Sequence, residues 1–387
     1  MTYNLLDPLQ TGFRRGHSTQ TALLKLLDDV RLAVDKRMVT LLVLFDFTKA
    51  FDTVSHELLL RKLCSFRLSP SACQWVRSYL TGRHQRVRGP DGSFSSWMPV
   101  LAGVPQGSVL GPLLFSLFIN DLRSVLKHCN HILYADDLQI YIHFPPAEID
   151  AALAKVRADI AAIESWAQNN FLILNARKTK SMLLGSSKFI NSIPSSRIQL
   201  HLNGAPIETT DKVTNLGICL SSSLSWSEQV RGTSSRVNGI LWRLKAFSGC
   251  LSLRLRTQLV TALIFPVFDY CAALFTDLTG QQKLKLRRLM NSCVRFIFNL
   301  RKDEHISGYY ERLGWLSSDD RREYLTCCLL FSIILNSSPS YLSENFRPLH
   351  RPLSHLRSSP SSSLDLAIPF CRTSTYQRSF HSTACSL

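Results

Sequence analysis

The stretch that most constrains this chain is "HILYADDLQIYI", His131 to Ile142, in which two short apolar runs flank adjacent carboxylates, Asp136 and Asp137. Apolar runs on either side of a polar pair predict a hairpin with the acids at its tip. Asp is a common turn residue, so a plain turn would account for either acid alone. Neighbouring carboxylates also repel one another unless a cation neutralises them, which makes a metal site the competing reading. A second acid-tipped strand bears on that choice. "VTLLVLFDF", Val39 to Phe47, is a continuous apolar run that reads as a buried strand delivering Asp46 at its end. Hard divalent ions bind through carboxylate oxygens, and a pair of ions bridged by two or three Asp can clamp the attacking and leaving oxygens of a phosphoryl transfer.

The rest of the chain reads as mixed α and β. Apolar residues at helical spacing from Ala22 to Val34 predict a helix over 18–36, and Ser55 reads as the cap of a helix over 55–63. Strands and loops are expected over 82–108, a helix over 111–127 with Pro112 in its first turn, and a helix over 147–170. A strand pair follows over 171–185 and short strands over 198–220. Beyond about 225 the chain turns mainly helical, with a Ser/Pro-rich linker at 351–363.

Charge narrows the partners. The chain holds 45 Lys and Arg against 28 Asp and Glu, a formal charge of +17, which points to a polyanion: nucleic acid or an acidic membrane surface. Between Arg231 and Lys302, 13 basic residues stand against Asp269 and Asp277 alone, and the interleaved apolar residues keep helical spacing. Such basic helices could track a phosphate backbone; a solvated helix face is the plainer alternative. The longest uncharged apolar run, Leu325 to Leu335, is shorter than the ~20 residues of a membrane span and reads as a core helix, so nucleic acid leads and no membrane partner is expected. The 11 cysteines form no CxxC pair and no signal segment opens the chain, which suggests a reduced intracellular setting. Cys371, His381 and Cys385 are too few and too irregularly spaced for a zinc knuckle.

The succession "LFDFTKAFDTVSH" (44–56), "GVPQGSVLGPLLFSLFIND" (103–121), "YADD" (134–137), "LNARKTKSML" (174–183) and "VTNLGICL" (213–220) resembles the palm of reverse transcriptases. Within that class "QTGFRRGHSTQTAL" (10–23), "YLTGRHQRV" (79–87) and "LSW" (224–226) look like the non-LTR, LINE-class retrotransposon enzymes. "IPFCRTSTYQRSF" is similar to a segment near the C-terminus of several such elements. The resemblance implies an α+β fold: a polymerase palm, an antiparallel sheet with helices on one face, with partial fingers, then a mainly helical thumb and C-terminal region. The implied divisions are partial fingers at 1–38, palm at 39–225, basic helical thumb and connecting region at 226–335, and a Ser/Pro-rich C-terminal segment at 336–387.

Residue by residue, the resemblance makes Asp46, Asp136 and Asp137 the metal-binding triad, with the backbone carbonyl of Phe47 a further ligand, and two Mg²⁺ ions as cofactors with Mn²⁺ as the alternative. Phe51 matches the position whose bulk crowds a sugar 2′-hydroxyl and favours deoxynucleotides; without the motif, plain core packing would be the preferred reading. Pro105, Gln106 and Gly107 match the loop beside the incoming nucleotide and template base. Lys178 matches the lysine that protonates the pyrophosphate leaving group. Tyr134 and Ala135 would shape the hairpin under the primer end, Leu216 and Gly217 would grip the primer, and Arg287 and Arg288 would contact primer and template.

The implied activity is RNA-directed DNA synthesis with an RNA template, a DNA primer or target DNA, and dNTP, in a nuclear setting with a cytoplasmic ribonucleoprotein phase. The 45 residues before Asp46 leave room for only partial fingers, and no endonuclease region precedes the palm, so a shortened chain is expected. The alternative is a catalytically dead remnant that only binds RNA or DNA.

Overall fold

The computed structural model describes residues 5–348 and 366–387; the linker expected at 351–363 lies outside them. The chain forms two compact units, each assembled from separated segments. One comprises Met1–Ser18, Thr40–Leu183 and Asn191–Thr210, and the other Thr19–Val39, Leu184–Ile190 and Asp211–Leu387.

The first unit is built on a five-stranded sheet. Its spatial order is Glu208–Thr209, Lys180–Leu184, Val39–Phe45, Asp137–Phe144 and Asn130–Tyr134. The central strand Val39–Phe45 is buried almost throughout, which is why it reads as an unbroken apolar run. Asn130–Tyr134 pairs antiparallel with Asp137–Phe144, with Tyr134 opposite Asp137, so the tip is the two-residue turn Ala135–Asp136. The edge pair Glu208–Lys180 runs parallel, so the sheet is mixed where a wholly antiparallel one was expected. A short strand offers too few alternations to reveal its direction in sequence.

Helix Ile149–Asn169 repeats Ile149, Leu153, Val156, Ile160 and Ile163 on its buried face, the spacing an amphipathic helix needs to cover a sheet. The same helix buries Asp159, whose carboxylate accepts from the backbone N–H groups of Lys127, His128 and Cys129 at 3.1, 3.0 and 2.7 Å. Those bonds fix the approach into the acid hairpin. The helix expected over 111–127 is α-helical only over Leu110–Ile119 and tightens to 3₁₀ over Asn120–Val125. Asn120 explains the change: its buried side chain accepts from Asp7 N at 2.7 Å and donates to the Leu5 carbonyl at 2.9 Å, drawing the turn toward the N-terminal segment.

The second unit is mainly helical, with long helices at Ser227–Ala246, Gly280–Phe298 and Ser318–Asn336. Thr279 and Gln282 form a capping box at the start of the second of these. Helix Thr19–Asp35 belongs to this unit and is buried on nearly every side, 12 of its 17 residues being inaccessible. Its buried charged residues Asp28, Arg31 and Asp35 hold the C-terminal segment, Arg31 by donating to the Arg378 carbonyl. Asp35 accepts from Arg372 N, Thr373 N and Thr373 Oγ1 at 2.9, 2.6 and 2.8 Å, and Asp28 accepts from Phe380 N and His381 N at 3.0 and 3.1 Å. Arg31, itself buried, pairs with Asp277 at 2.9 Å.

One expectation about an apolar segment is revised. Leu325–Leu335 lies in a helix, but of Ser318–Asn336 only Ser318, Thr326 and Ile333 are buried, so it is not a core helix. Its apolar residues run round the whole circumference, and only one stripe is covered. Leu253–Leu274 is long and apolar enough to cross a membrane by length and composition. It folds, however, as three pieces, Leu253–Leu263, Phe265–Asp269 and Ala272–Leu274, broken near Pro266 and at Cys271, whose φ is 54°.

Candidate active site

The three expected carboxylates lie near one another in the first unit, carried by two elements. Asp46 follows the central strand, and the adjoining Phe47–Thr48 pairs antiparallel with Ile173–Leu174. The Asp46 carbonyl accepts from Asn175 N at 2.8 Å, and Thr179 N bonds back to the Asn175 carbonyl at 2.9 Å. This tight turn brings Lys178 to the site, its Nζ 3.7 Å from Asp46 Oδ2. That oxygen is buried and has no hydrogen-bond partner.

Asp136 and Asp137 carry the electrical signature of the site. Burial pushes the Asp136 carboxyl upward, and the charge of Asp46 adds to the shift. Asp137 is raised to about 6, first by burial, then by Asp136, then by Asp46. Carboxylates this close repel one another, and a cation between them would offset that repulsion. The donor set, three hard carboxylates, fits a hard divalent ion. Among the described residues no group of three or more His, Cys, Asp or Glu side chains is placed to hold a metal ion, so the fit of these acids to one rests on their donor chemistry.

The hairpin tip is pinned from the N-terminal segment, by residues that the sequence alone did not single out. Thr11 N donates to the Leu133 carbonyl at 2.7 Å and Leu133 N to the Leu9 carbonyl at 3.0 Å. The Gln10 amide brackets Ala135: its oxygen accepts from Ala135 N at 3.2 Å and its nitrogen donates to Ala135 O at 3.4 Å. Ala135 sits at φ 56°, a left-handed conformation that a non-glycine residue adopts only where its surroundings impose it. Gly12 makes the approach possible, since a Cβ there would stand 2.4 Å from Ala135 N. Tyr134, half-buried, is held by its pairing with Asp137.

Phe51 and the Gln106 loop are joined in the same unit. The Phe51 ring stacks on Phe115 with centroids 4.0 Å apart and meets Phe13 edge-on at 6.2 Å. Gln106 Nε2 donates to Asp52 Oδ1 at 2.7 Å, and Val104 N donates to the Phe51 carbonyl at 2.9 Å. Gly103, at φ 90°, lies so close that a Cβ would come within 2.7 Å of the Asp52 carbonyl, a requirement no local signal announced. Gly107 also has a positive φ, 79°.

The remaining expected residues lie in the second unit. Leu216 and Gly217, at φ 44° and 78°, form the two-residue turn between Lys212–Asn215 and Ile218–Ser221, the pattern of a type I′ hairpin. The Tyr270 hydroxyl donates to the Leu216 carbonyl at 2.7 Å. On helix Gly280–Phe298, Arg287 pairs with Asp319 at 2.8 Å, while Arg288 is exposed.

The family model described as "Reverse transcriptase (RNA-dependent DNA polymerase)" matches residues 1–220. The "Probable RNA-directed DNA polymerase from transposon BS" of Drosophila melanogaster is 26% identical over 307 residues, covering 76% of this chain and 33% of that protein. The "RNA-directed DNA polymerase from mobile element jockey" of Drosophila funebris is 28% identical over 303 residues, covering 76% and 32%. The chain thus spans about a third of the length of these curated relatives. Telomerase from Candida tropicalis, solved in complex with a fragment of telomeric RNA, aligns at a TM-score of 0.40 and 13% identity over 84% of this chain and 52% of that one.

Proposed function

Because the chain belongs to the reverse transcriptase family, whose members generally use divalent metal ions, we propose that it is the palm-bearing part of an RNA-directed DNA polymerase of the non-LTR, LINE class. It would transfer a nucleotide from dNTP to a DNA primer 3′-hydroxyl on an RNA template, in a nuclear setting with a cytoplasmic ribonucleoprotein phase. The observation that carries this reading is the proximity of Asp46, Asp136 and Asp137: burial and the charge of Asp46 push Asp136 and Asp137 upward, and Lys178 stands 3.7 Å from Asp46.

Asp46, Asp136, Asp137 and the Phe47 carbonyl would hold two Mg²⁺ ions, with Mn²⁺ as the alternative. Bound there, the ions supply the charge that lowers the pKa of the primer hydroxyl and offsets charge on the triphosphate oxygens. The protein's own contribution is placement. The pinned Ala135 turn fixes Asp136 and Asp137, which would lie beneath the primer end, and the Asn175–Thr179 turn fixes Lys178, whose ammonium would give a proton to departing pyrophosphate. Phe51, packed against Phe115 and Phe13, would crowd a 2′-hydroxyl. Gln106, oriented by Asp52, and Gly107 would lie beside the template base. Leu216 and Gly217 would grip the primer, and Arg287 and Arg288 would meet phosphates.

Primer extension on an RNA template with Mg²⁺ tests the assignment, with Asp136→Asn as the comparison. Extension by the wild type and none by the variant is expected. Wild-type product no greater than that of Asp136→Asn would reduce the chain to a remnant that only binds nucleic acid.

A further inference from the structure

Residues 83–99 form a slender ribbon outside the main sheet. His84–Gln85 pairs antiparallel with Met98–Pro99, and the pairing continues through a bridge between Arg88 and Phe94. Two strands alone are marginal in water, and apolar side chains on them find no core to enter. Yet Phe94 is 52% exposed and Trp97 59%, and Trp75, on the preceding helix Pro70–Leu80, is 57% exposed.

The exposed rings are interleaved with guanidinium groups. Arg86 lies 3.9 Å from the Phe94 ring centroid and 4.5 Å from that of Trp97. Arg83 lies 4.7 Å from the Tyr79 ring, which is parallel to Trp75 within 10° at 6.1 Å. The acid in the ribbon, Asp91, is occupied by Ser93. Aromatic rings and guanidinium planes are the two side-chain surfaces on which unpaired bases stack, and the arginines add charge for the phosphates. The foot of the ribbon, Arg83 to Gln85, lines one cleft together with Lys49, Asp52 and Gln106, so Arg83 joins the aromatic–guanidinium cluster of Tyr79 and Trp75 to the Gln106 loop.

We propose that Trp75, Tyr79, Arg83, Arg86, Phe94 and Trp97 form a stacking platform for the single-stranded RNA template on its way to the Gln106 loop. The direction of travel rests on the polymerase reading; the binding of unpaired RNA by this face does not.

The test measures affinity of the full chain for a labelled single-stranded RNA of about 12 nucleotides, within the span of such grooves, and for a blunt duplex of the same length. Trp97→Ala and Phe94→Ala should each weaken single-strand binding about tenfold and leave duplex binding unchanged. Trp97→Phe, which keeps a ring, should restore most of the loss, and so separates stacking from any effect on folding. Arg86→Lys, which keeps the charge and loses the plane, should weaken the single strand selectively.

Single-strand affinity indifferent to Trp97→Ala and Phe94→Ala overturns the platform, even if the wild type extends primers; that is also the outcome expected if the face covers a protein instead. Selective loss in those variants, in a chain that extends no primer, upholds the platform and overturns the polymerase reading.

Discussion

Gly12→Ala is the sharpest perturbation the structure offers. The new methyl would stand 2.4 Å from Ala135 N, 3.1 Å from its Cα and 3.3 Å from its Cβ, so two stretches of backbone must separate by about 1 Å to reach the usual ~3.4–4 Å contact. If the segment stays, overpacking costs about 1–3 kcal/mol. If it withdraws, the two bonds between Gln10 and Ala135 are lost, at about 1 kcal/mol each. Either route gives about 2 kcal/mol, and melting should fall by about 2–4 °C for each kcal/mol.

The functional effect should be larger. Asp136 follows Ala135 directly, and a 1 Å misplacement of a reacting group costs about 10²-fold in rate. Single-turnover primer extension should therefore slow about a hundredfold while binding of the primer–template is little changed. Gly232→Ala, in open space on helix Ser227–Ala246, is the control and should stabilise by about 0.5–1 kcal/mol. A Gly12→Ala protein that melts and extends like the wild type would refute the claim that this segment positions the acids.

Other consequences can be measured alongside. Asp137, raised to about 6 from an ordinary 3.8, makes the folded state bind more protons than the unfolded one between those values, so metal-free stability should fall as pH rises from about 4 to about 6. Asp137→Asn should then stabilise the metal-free protein at pH 7 by about 1 kcal/mol, allowing for solvent screening of an exposed side chain, and the gain should vanish near pH 4 while extension is lost. Asp35→Ala removes the acceptor of three bonds from Arg372 and Thr373 and should cost about 2–4 kcal/mol, seen as faster amide exchange over 372–387. Nucleic-acid affinity should drop steeply between 50 and 200 mM salt, by about 10³-fold if some six basic side chains meet phosphates; a flat salt response contradicts phosphate tracking by the basic helices.

How much of this was legible in the sequence differs by element. The strand ending in Asp46 and the hairpin carrying Asp136 and Asp137 announce themselves because burial on both faces or one leaves an apolar pattern of period one or two. Long-range supports left weaker traces. Gln10 and Gly12 act on a turn over 120 residues away, and nothing in their immediate neighbours says so. The membership of helix Thr19–Asp35 in the unit holding the C-terminal segment was similarly hidden, since compact units need not follow chain order. One sign was present: Asp28, Arg31 and Asp35 share a face at spacings of three and four, and charges on a helix buried all round require partners of their own. The exposed face of Ser318–Asn336 shows the converse, for an apolar sequence alone does not say whether anything covers it.

The segment Leu9–Thr11 has a consequence for solubility as well. Asn130–Tyr134 ends the sheet, and an uncovered edge strand offers free backbone groups to any other chain with a strand to pair. Bonds from Leu133 N to Leu9 and from Thr11 N to Leu133 occupy those groups on the strand that leads to the acids. A version of the chain lacking its first 12 residues should therefore self-associate through this edge, stacking the acid hairpins of neighbouring molecules and precipitating as β-rich aggregate.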